Sequence, residues 1–119
     1  MIEFSVSLPC SVNNLYTVWK NRKICSKIAK EYEKKTMLEL MLIKPLLTPI
    51  SGNVSIEYEF TFPDNRKRDA SNYIKQLEDI IVKMGLIEDD SMVVVMVIRK
   101  QIKKGLSEAK VKIEPFSLT

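Results

Sequence analysis

The sequence predicts an α/β chain of two layers, a mixed β-sheet with helices packed against it, in the element order βαβαββ. Three observations predict it: apolar and polar residues alternate over 53–62, helical apolar arcs recur over 26–44 and 70–84, and a run of consecutive apolar residues, 92–98, occupies most of 91–102. The first pattern has the period of a half-buried strand and the second that of a helix against a core. The third reads as a strand covered on both faces.

IEFSVSL (2–8) opens the chain with Ile2, Phe4, Val6 and Leu8 alternating against polar neighbours, a first strand. PCSVNNLYTVWKNRK has no period and reads as a long loop rich in Asn, aromatic and basic residues. Ser26 is a suitable N-cap for a helix that runs to Lys44, before Pro45 and Pro49 stop it. Ile28, Ala29, Tyr32, Thr36, Leu40 and Ile43 make its core face, while Met37, Leu38 and Met41 point away. A helix apolar on two sides needs two covers, so residues 36–43 read as a dimer helix, with deep burial in one monomer as the alternative.

NVSIEYEFTF (53–62) sets Val54, Ile56, Tyr58, Phe60 and Phe62 on one face of a strand. After the basic loop PDNRKR, the residues Ala70, Tyr73, Ile74, Leu77, Ile80, Ile81 and Met84 fall on one arc of a helix that Gly85 ends. SMVVVMVIRKQI (91–102) is expected as a central strand, and AKVKIEP (109–115) as its hairpin partner across KKGLSE. Strand, helix and strand in succession imply a right-handed parallel crossover, hence a mixed sheet.

With 119 residues and 45% hydrophobic content, the chain supports one core and is expected to be a single domain, 1–119. No apolar run approaches the ~18 residues that span a bilayer, and MIEFSVSLP lacks the character of a signal peptide, so no membrane partner is expected and the location is expected to be cytoplasmic. Cys10 and Cys25, without C-x-x-C spacing, imply reduced thiols. Histidine is absent. That removes Ser-His-Asp and Cys-His catalysis and the Cys/His zinc sites, leaving carboxylates, lysines and oxygen-bound cations such as Mg²⁺ for any hydrolysis. A net charge of +4 gathers in KNRK (20–23), NRKR (65–68) and RKQIKK (99–104), which suits a polyanionic partner.

The chemistry concentrates in RDASNYIKQLEDIIVKMGLIEDDS (68–91). Asn72, Lys75 and Asp79 share the outward face of the helix, with Ser71 beside Lys75. Helical side chains lean toward the N-terminus, so Lys75 can reach back to Asp69. A helix start favours a phosphate, and Arg68 offers it a fork of donors. The structural reading of the same residues is Asp69 as an N-cap, Lys75 and Asp79 as an i, i+4 surface pair, and Glu88-Asp89-Asp90 as a turn.

R-D-x-x-N-x-x-K, a helix with an internal Asp, then G-x-x-x-D-D-S before a strand resembles the RusA family of Holliday junction resolvases, as does NNLY (13–16) followed by basic residues. The resemblance runs over nearly the whole chain. It implies a homodimeric, Mg²⁺-dependent endodeoxyribonuclease that resolves four-way DNA junctions by paired nicks in recombination and repair, with Mn²⁺ able to substitute and the nucleoid as its place of action. Position by position it implies metal binding by Asp69 and Asp90, a catalytic role for Lys75 and support of DNA binding by Arg68. Branched DNA would be held by Arg68, Arg66, Lys67 and Asn72 and, in the N-terminal segment, by Asn13, Asn14, Tyr16, Lys20, Arg22 and Lys23.

Ser71 departs from the family pattern, which has a second aspartate there. Three explanations stand open: a natural variant whose metal site is completed by water or another acid such as Asp89, a protein that binds branched DNA without cutting, or an engineered change. A third class, an RNA-binding α/β domain, lacks the aromatic pair such domains carry on a central strand, since that strand is MVVVMVI.

Overall fold

The computed structural model describes residues 1–11 and 14–117. Its main sheet has four strands in the order β1-β6-β4-β5, where β1 is Ile2–Val6, β4 Val54–Phe62, β5 Val93–Ile102 and β6 Glu108–Pro115. β6 runs antiparallel to both β1 and β4, and β5 runs parallel to β4, so the sheet is mixed. Helices α1 (Lys27–Ile43) and α2 (Ile74–Lys83) pack against it.

Alternation in the sequence becomes the core directly. Ile2, Phe4 and Val6 of β1, Val54 through Phe62 at alternate positions of β4, and Ala109, Val111 and Ile113 of β6 face Leu40 of α1 and Leu77, Ile80 and Ile81 of α2. Ser26 caps α1 as the sequence predicts, its Oγ accepting from the Ala29 N–H at 3.1 Å. Gly85 takes the positive φ of 73° that closes α2. No helix among the described residues is long and apolar enough to cross a membrane.

Four expectations change. The segment read as a loop folds in part as a two-stranded hairpin, β2 (Tyr16–Trp19) and β3 (Arg22–Cys25), turned through Lys20 and Asn21 at φ 51° and 61°. Two successive positive φ angles make the twisted two-residue turn that suits a hairpin, and strands this short leave little period to detect. The second change is at β5, which is the edge of the sheet and not its centre: Val95, Met96, Val97 and Ile98 are each 37–39% exposed. β6 is accordingly no hairpin partner of β5. The connection between them crosses the end of β4, where the Lys103 N–H donates to the Phe62 carbonyl at 2.9 Å, and β6 pairs with β4 and β1 instead.

The other two changes are local. Ile28, assigned to the core face of α1, is 65% exposed, because that face is buried only from Ala29 onward. Residues 70–73 form a 3₁₀ turn ahead of α2 instead of its first α-helical turn. On α1, Leu38 and Met41 are exposed as expected, while Met37 packs against the core.

Candidate active site and nucleic-acid interface

Asp69 stands where the chain leaves the β4 end of the sheet and enters α2. Its backbone is extended, and its Oδ1 accepts from the Ser71 N–H at 3.2 Å and the Ser71 hydroxyl at 2.7 Å. The Asp69 carbonyl accepts from the Asn72 N–H at 3.0 Å, which closes the 3₁₀ turn. Both Asp69 and Ser71 are exposed, so the carboxylate and hydroxyl form a small pair of oxygens open to solvent. Ser71 therefore touches the very carboxylate it flanks in sequence.

Two basic residues fix the peptide before Asp69. Arg68 donates from Nη1 to Asp64 Oδ1 at 2.8 Å, and its guanidinium lies 5.0 Å from the centre of the Phe62 ring. That hydrogen bond, with help from the Arg66 N–H, holds the Asp64 carboxyl down at about 2. Only 12% of the Arg68 side chain is exposed, so its fork is engaged within the fold. Lys100 of β5 donates to the Arg68 carbonyl at 2.7 Å, pinning the same peptide from the neighbouring strand.

Lys75 lies one turn into α2 and is half exposed. Its ammonium is 3.8 Å from Asp79 Oδ2, the i, i+4 pair of the structural reading, so it leans along the helix away from Asp69.

Asp90 opens a short 3₁₀ turn, Asp90–Met92, immediately before β5. Its neighbours have separate tasks. Glu88 accepts from the Ser51 hydroxyl and the Gly52 N–H at 2.7 and 2.6 Å, tying this turn to the loop before β4, and those bonds lower its pKa. Asp89 accepts from the Ser91 hydroxyl at 2.6 Å, which lowers its pKa in the same way. Both turn acids are thus held as carboxylates.

The register of the sheet decides how these acids relate. β4 and β5 are parallel, with Val54 beside Val93 and Phe62 beside Ile102. Asp69 follows the end of β4 and Asp90 precedes the start of β5, so within one chain they lie at opposite ends of the sheet. Asp90 acts instead on Glu78, more than two turns along α2 from Asp69. Burial raises the Glu78 pKa first, and the charges of Asp90 and Asp79 raise it further. Among the described residues no group of three His, Cys, Asp or Glu side chains is placed to hold a metal ion.

The basic surface is divided between two places. Arg66 is largely exposed and Lys67 exposed on the loop leading to Asp69, and Arg22 and Lys23 project from the β2–β3 hairpin with Lys20 at its turn. The Lys23 ammonium sits 4.3 Å from the Tyr16 ring centre, bringing an aromatic face and a cation together on the hairpin. Asn14 serves the fold, since its carbonyl accepts from the Ser26 hydroxyl at 2.6 Å and so couples the hairpin to the α1 cap. Asn72 is half-buried in the 3₁₀ turn, and Asn13 lies outside the described residues.

Sequence reasoning missed the residues that position this surface. Gln76 is buried and donates to the Ala29 carbonyl at 2.7 Å while accepting from the Cys10 N–H at 3.2 Å, joining α2 to α1 and to the loop that follows β1. Nothing in its local pattern marks it. Lys100 did carry a signal, a cation on the core-facing side of β5 beside Phe60. Asp64 and Glu78 were passed over because their partners are fixed by the fold.

The comparisons with known proteins agree on one family. The model of the family Endodeoxyribonuclease RusA matches residues 8–114. A curated relative, "Crossover junction endodeoxyribonuclease RusA" of Aquifex aeolicus (strain VF5), is 34% identical over 67 residues, which are 56% of this chain and 53% of that protein. The chain thus matches about half the length of that relative.

Proposed function

The chain belongs to the endodeoxyribonuclease RusA family, and from that premise we propose that it resolves four-way DNA junctions by Mg²⁺-dependent nicks placed symmetrically in two strands. The observation that carries the reading is the family match across residues 8–114, which takes in Asp69, Lys75 and Asp90.

The donor chemistry fits a hard cation. Asp69, the Ser71 hydroxyl and Asp90 offer oxygen and no sulfur or imidazole, the set Mg²⁺ prefers and Mn²⁺ accepts. Number and placement do not fit within one chain, because Asp69 and Asp90 stand at opposite ends of the sheet. A site that uses both takes one from each of two copies, so the homodimer is part of this reading. A bound divalent cation supplies positive charge to acidify a water and to offset charge on the phosphoryl oxygens.

The chain's own residues do the rest. Asp69 presents a carboxylate on a turn held rigid by Lys100 and by the Asp64–Arg68 pair. Lys75, freed from Asp79 when a phosphate arrives, stabilises charge developing on the scissile group. Arg66 and Lys67 beside the turn, with Lys20, Arg22 and Lys23 on the hairpin, receive the phosphates of the junction arms. This division explains why acids sit within a basic protein: they attract DNA only when they carry a cation.

The rival reading is a protein that binds branched DNA without cutting, favoured by Ser71 at the family's aspartate position. A nicking assay on a synthetic four-way junction separates them. We expect Mg²⁺-dependent paired nicks, none in EDTA, and loss of nicking with retained binding in Asp69→Asn. A wild type that binds junctions yet stays inert in Mg²⁺ and Mn²⁺ overturns the nuclease reading.

A further inference from the structure

We propose that the second copy docks on the free edge of β5, antiparallel to its own counterpart and centred on Met96, in place of the α1 surface at residues 36–43. The inference deepens the homodimer of the proposed function and rests on it.

β5 is 10 residues long and pairs on one side only, with β4. Its other edge presents a row of backbone donors and acceptors, a template for another strand. Natural edge strands are usually short, charged or interrupted, and past the irregularity at Val93–Val95 this one runs apolar and regularly paired over Val95–Ile98. Met96 and Ile98 are uncovered on the helical face of the sheet, beside Ile56 and Tyr58, while Val95 and Val97 are uncovered on the opposite face, beside Ser55 and Glu57. Apolar exposure on both faces of an open edge fits a strand that continues the sheet, covered above and below by its neighbour's side chains.

Charge selects the occupant and its direction. Glu88, Asp89 and Asp90 precede the strand, and Arg99, Lys100, Lys103 and Lys104 lie at its far end. A parallel second copy sets like charge on like. An antiparallel one sets the acidic end of each copy against the basic end of the other, with the apolar stretch in register between them. The same surface meets itself, as a two-fold interface requires.

The pleat narrows the register. Residues directly opposite in an antiparallel pair share a face, so the sum of their numbers is even for two copies of one strand. Centring on Met96 opposes it to the partner's Met96 and opposes Val95 to the partner's Val97, apolar on both faces. The partner's Asp90 turn then lies toward the Arg99–Ile102 end of the strand, where Lys100 holds the Arg68–Asp69 peptide. The two-fold axis stands across the sheet, leaving both helical layers on one side, where both Asp69 turns can meet one DNA junction. The α1 surface offers Leu38, Met41 and Leu42 among charges of both signs, of which Lys35 and Glu39 pair with each other, and no open backbone edge.

Sedimentation of the full chain without DNA, together with cysteine cross-linking, tests the seam. In a Cys10→Ser, Cys25→Ser background, Met96→Cys should form a disulfide-linked dimer under mild oxidation, and Leu42→Cys should not. Val95→Lys with Val97→Lys should raise the dimer dissociation constant about a hundredfold or more, since four lysines converge at one seam, with far-ultraviolet circular dichroism unchanged. Leu38→Glu with Met41→Glu, both at exposed positions, should leave it within a few-fold. A monomeric wild type, a dimer lost to the α1 changes and kept by the β5 changes, or cross-linking that favours Leu42→Cys each overturns the proposal. A β5-linked dimer that cuts no junction leaves the seam standing and removes the nuclease reading alone.

Discussion

β4 and β5 lie side by side and parallel, with one shift of register near their start, and both are rich in apolar residues, yet one is the centre of the molecule and the other its rim. β4 alternates, with Tyr58, Phe60 and Phe62 fully buried, while β5 is apolar at successive positions and exposed at nearly all of them. Composition therefore ranks them in the wrong order. Burial follows from neighbours: β4 has a strand on each side and helices over one face, whereas β5 has one strand and a partial cover.

Single substitutions should separate the two strands most sharply. Phe60→Ala removes a ring stacked on Tyr58 at 5.7 Å and tilted against Tyr73 at 6.2 Å, and should cost about 3–5 kcal/mol in urea denaturation. Val97→Ala should cost roughly 0.5 kcal/mol or less in dilute protein. If the proposed β5 seam forms, the cost of Val97→Ala should grow at high concentration, because self-association makes stability depend on concentration. Equal costs for the two changes at low concentration would break the distinction between centre and rim.

The same contrast explains what the sequence shows and what it hides. Ser26, Gly85, the alternation of β4 and the Asp69 turn are local: each follows from a cap, a positive φ or a two-residue period within a few neighbouring residues. The place of β5 in the sheet is not local, since a run such as MVVVMVI looks the same whether it is covered by its own fold or by another copy. The β2–β3 hairpin was hidden by short strands and by Lys and Asn, instead of glycine, in its turn. At the site, the sequence marks Asp69, Ser71, Lys75 and Asp90 but not that Asp69 and Asp90 lie far apart in one chain, because that depends on the direction of β5. Arg68 looks like a phosphate fork in sequence and is engaged with Asp64 in the fold.

A smaller effect probes the polar cost of β4's central place. The Tyr58 hydroxyl is buried with no hydrogen-bond partner among the described residues, and burial followed by the charges of Glu78 and Asp79 pushes its pKa upward. A hydroxyl left unpaired in the core is destabilising, so Tyr58→Phe should raise stability by about 1 kcal/mol in the same urea measurement. Loss of stability would mean that the hydroxyl has a buried water for a partner.

The smallest effects lie at the two ends of this strand pair and have opposite signs. Asp64, beyond the end of β4, has its pKa lowered from 3.8 to about 2, first by Arg68 and then by the Arg66 N–H. A depressed carboxyl contributes stability above its unfolded pKa, and that contribution is lost as pH falls from about 4 toward 2. Glu78, facing the Asp90 turn that precedes β5, has its pKa raised by burial, then by Asp90 and Asp79. Its contribution is present at low pH and is lost as pH rises through the raised value, above 4.5. Melting temperature measured from pH 2 to 7 reads both. Asp64→Asn should flatten the acid limb of the profile, and Glu78→Gln should gain on the wild type as pH rises past 4.5, each by a few degrees at most. Arg68→Met should shrink the difference between wild type and Asp64→Asn to the part the Arg66 N–H sustains, because the guanidinium is the largest cause of the Asp64 shift. If the Asp64 difference survives Arg68→Met intact, the Asp64–Arg68 pair is not what holds the chain where it leaves β4, and Lys100 alone pins the Asp69 turn.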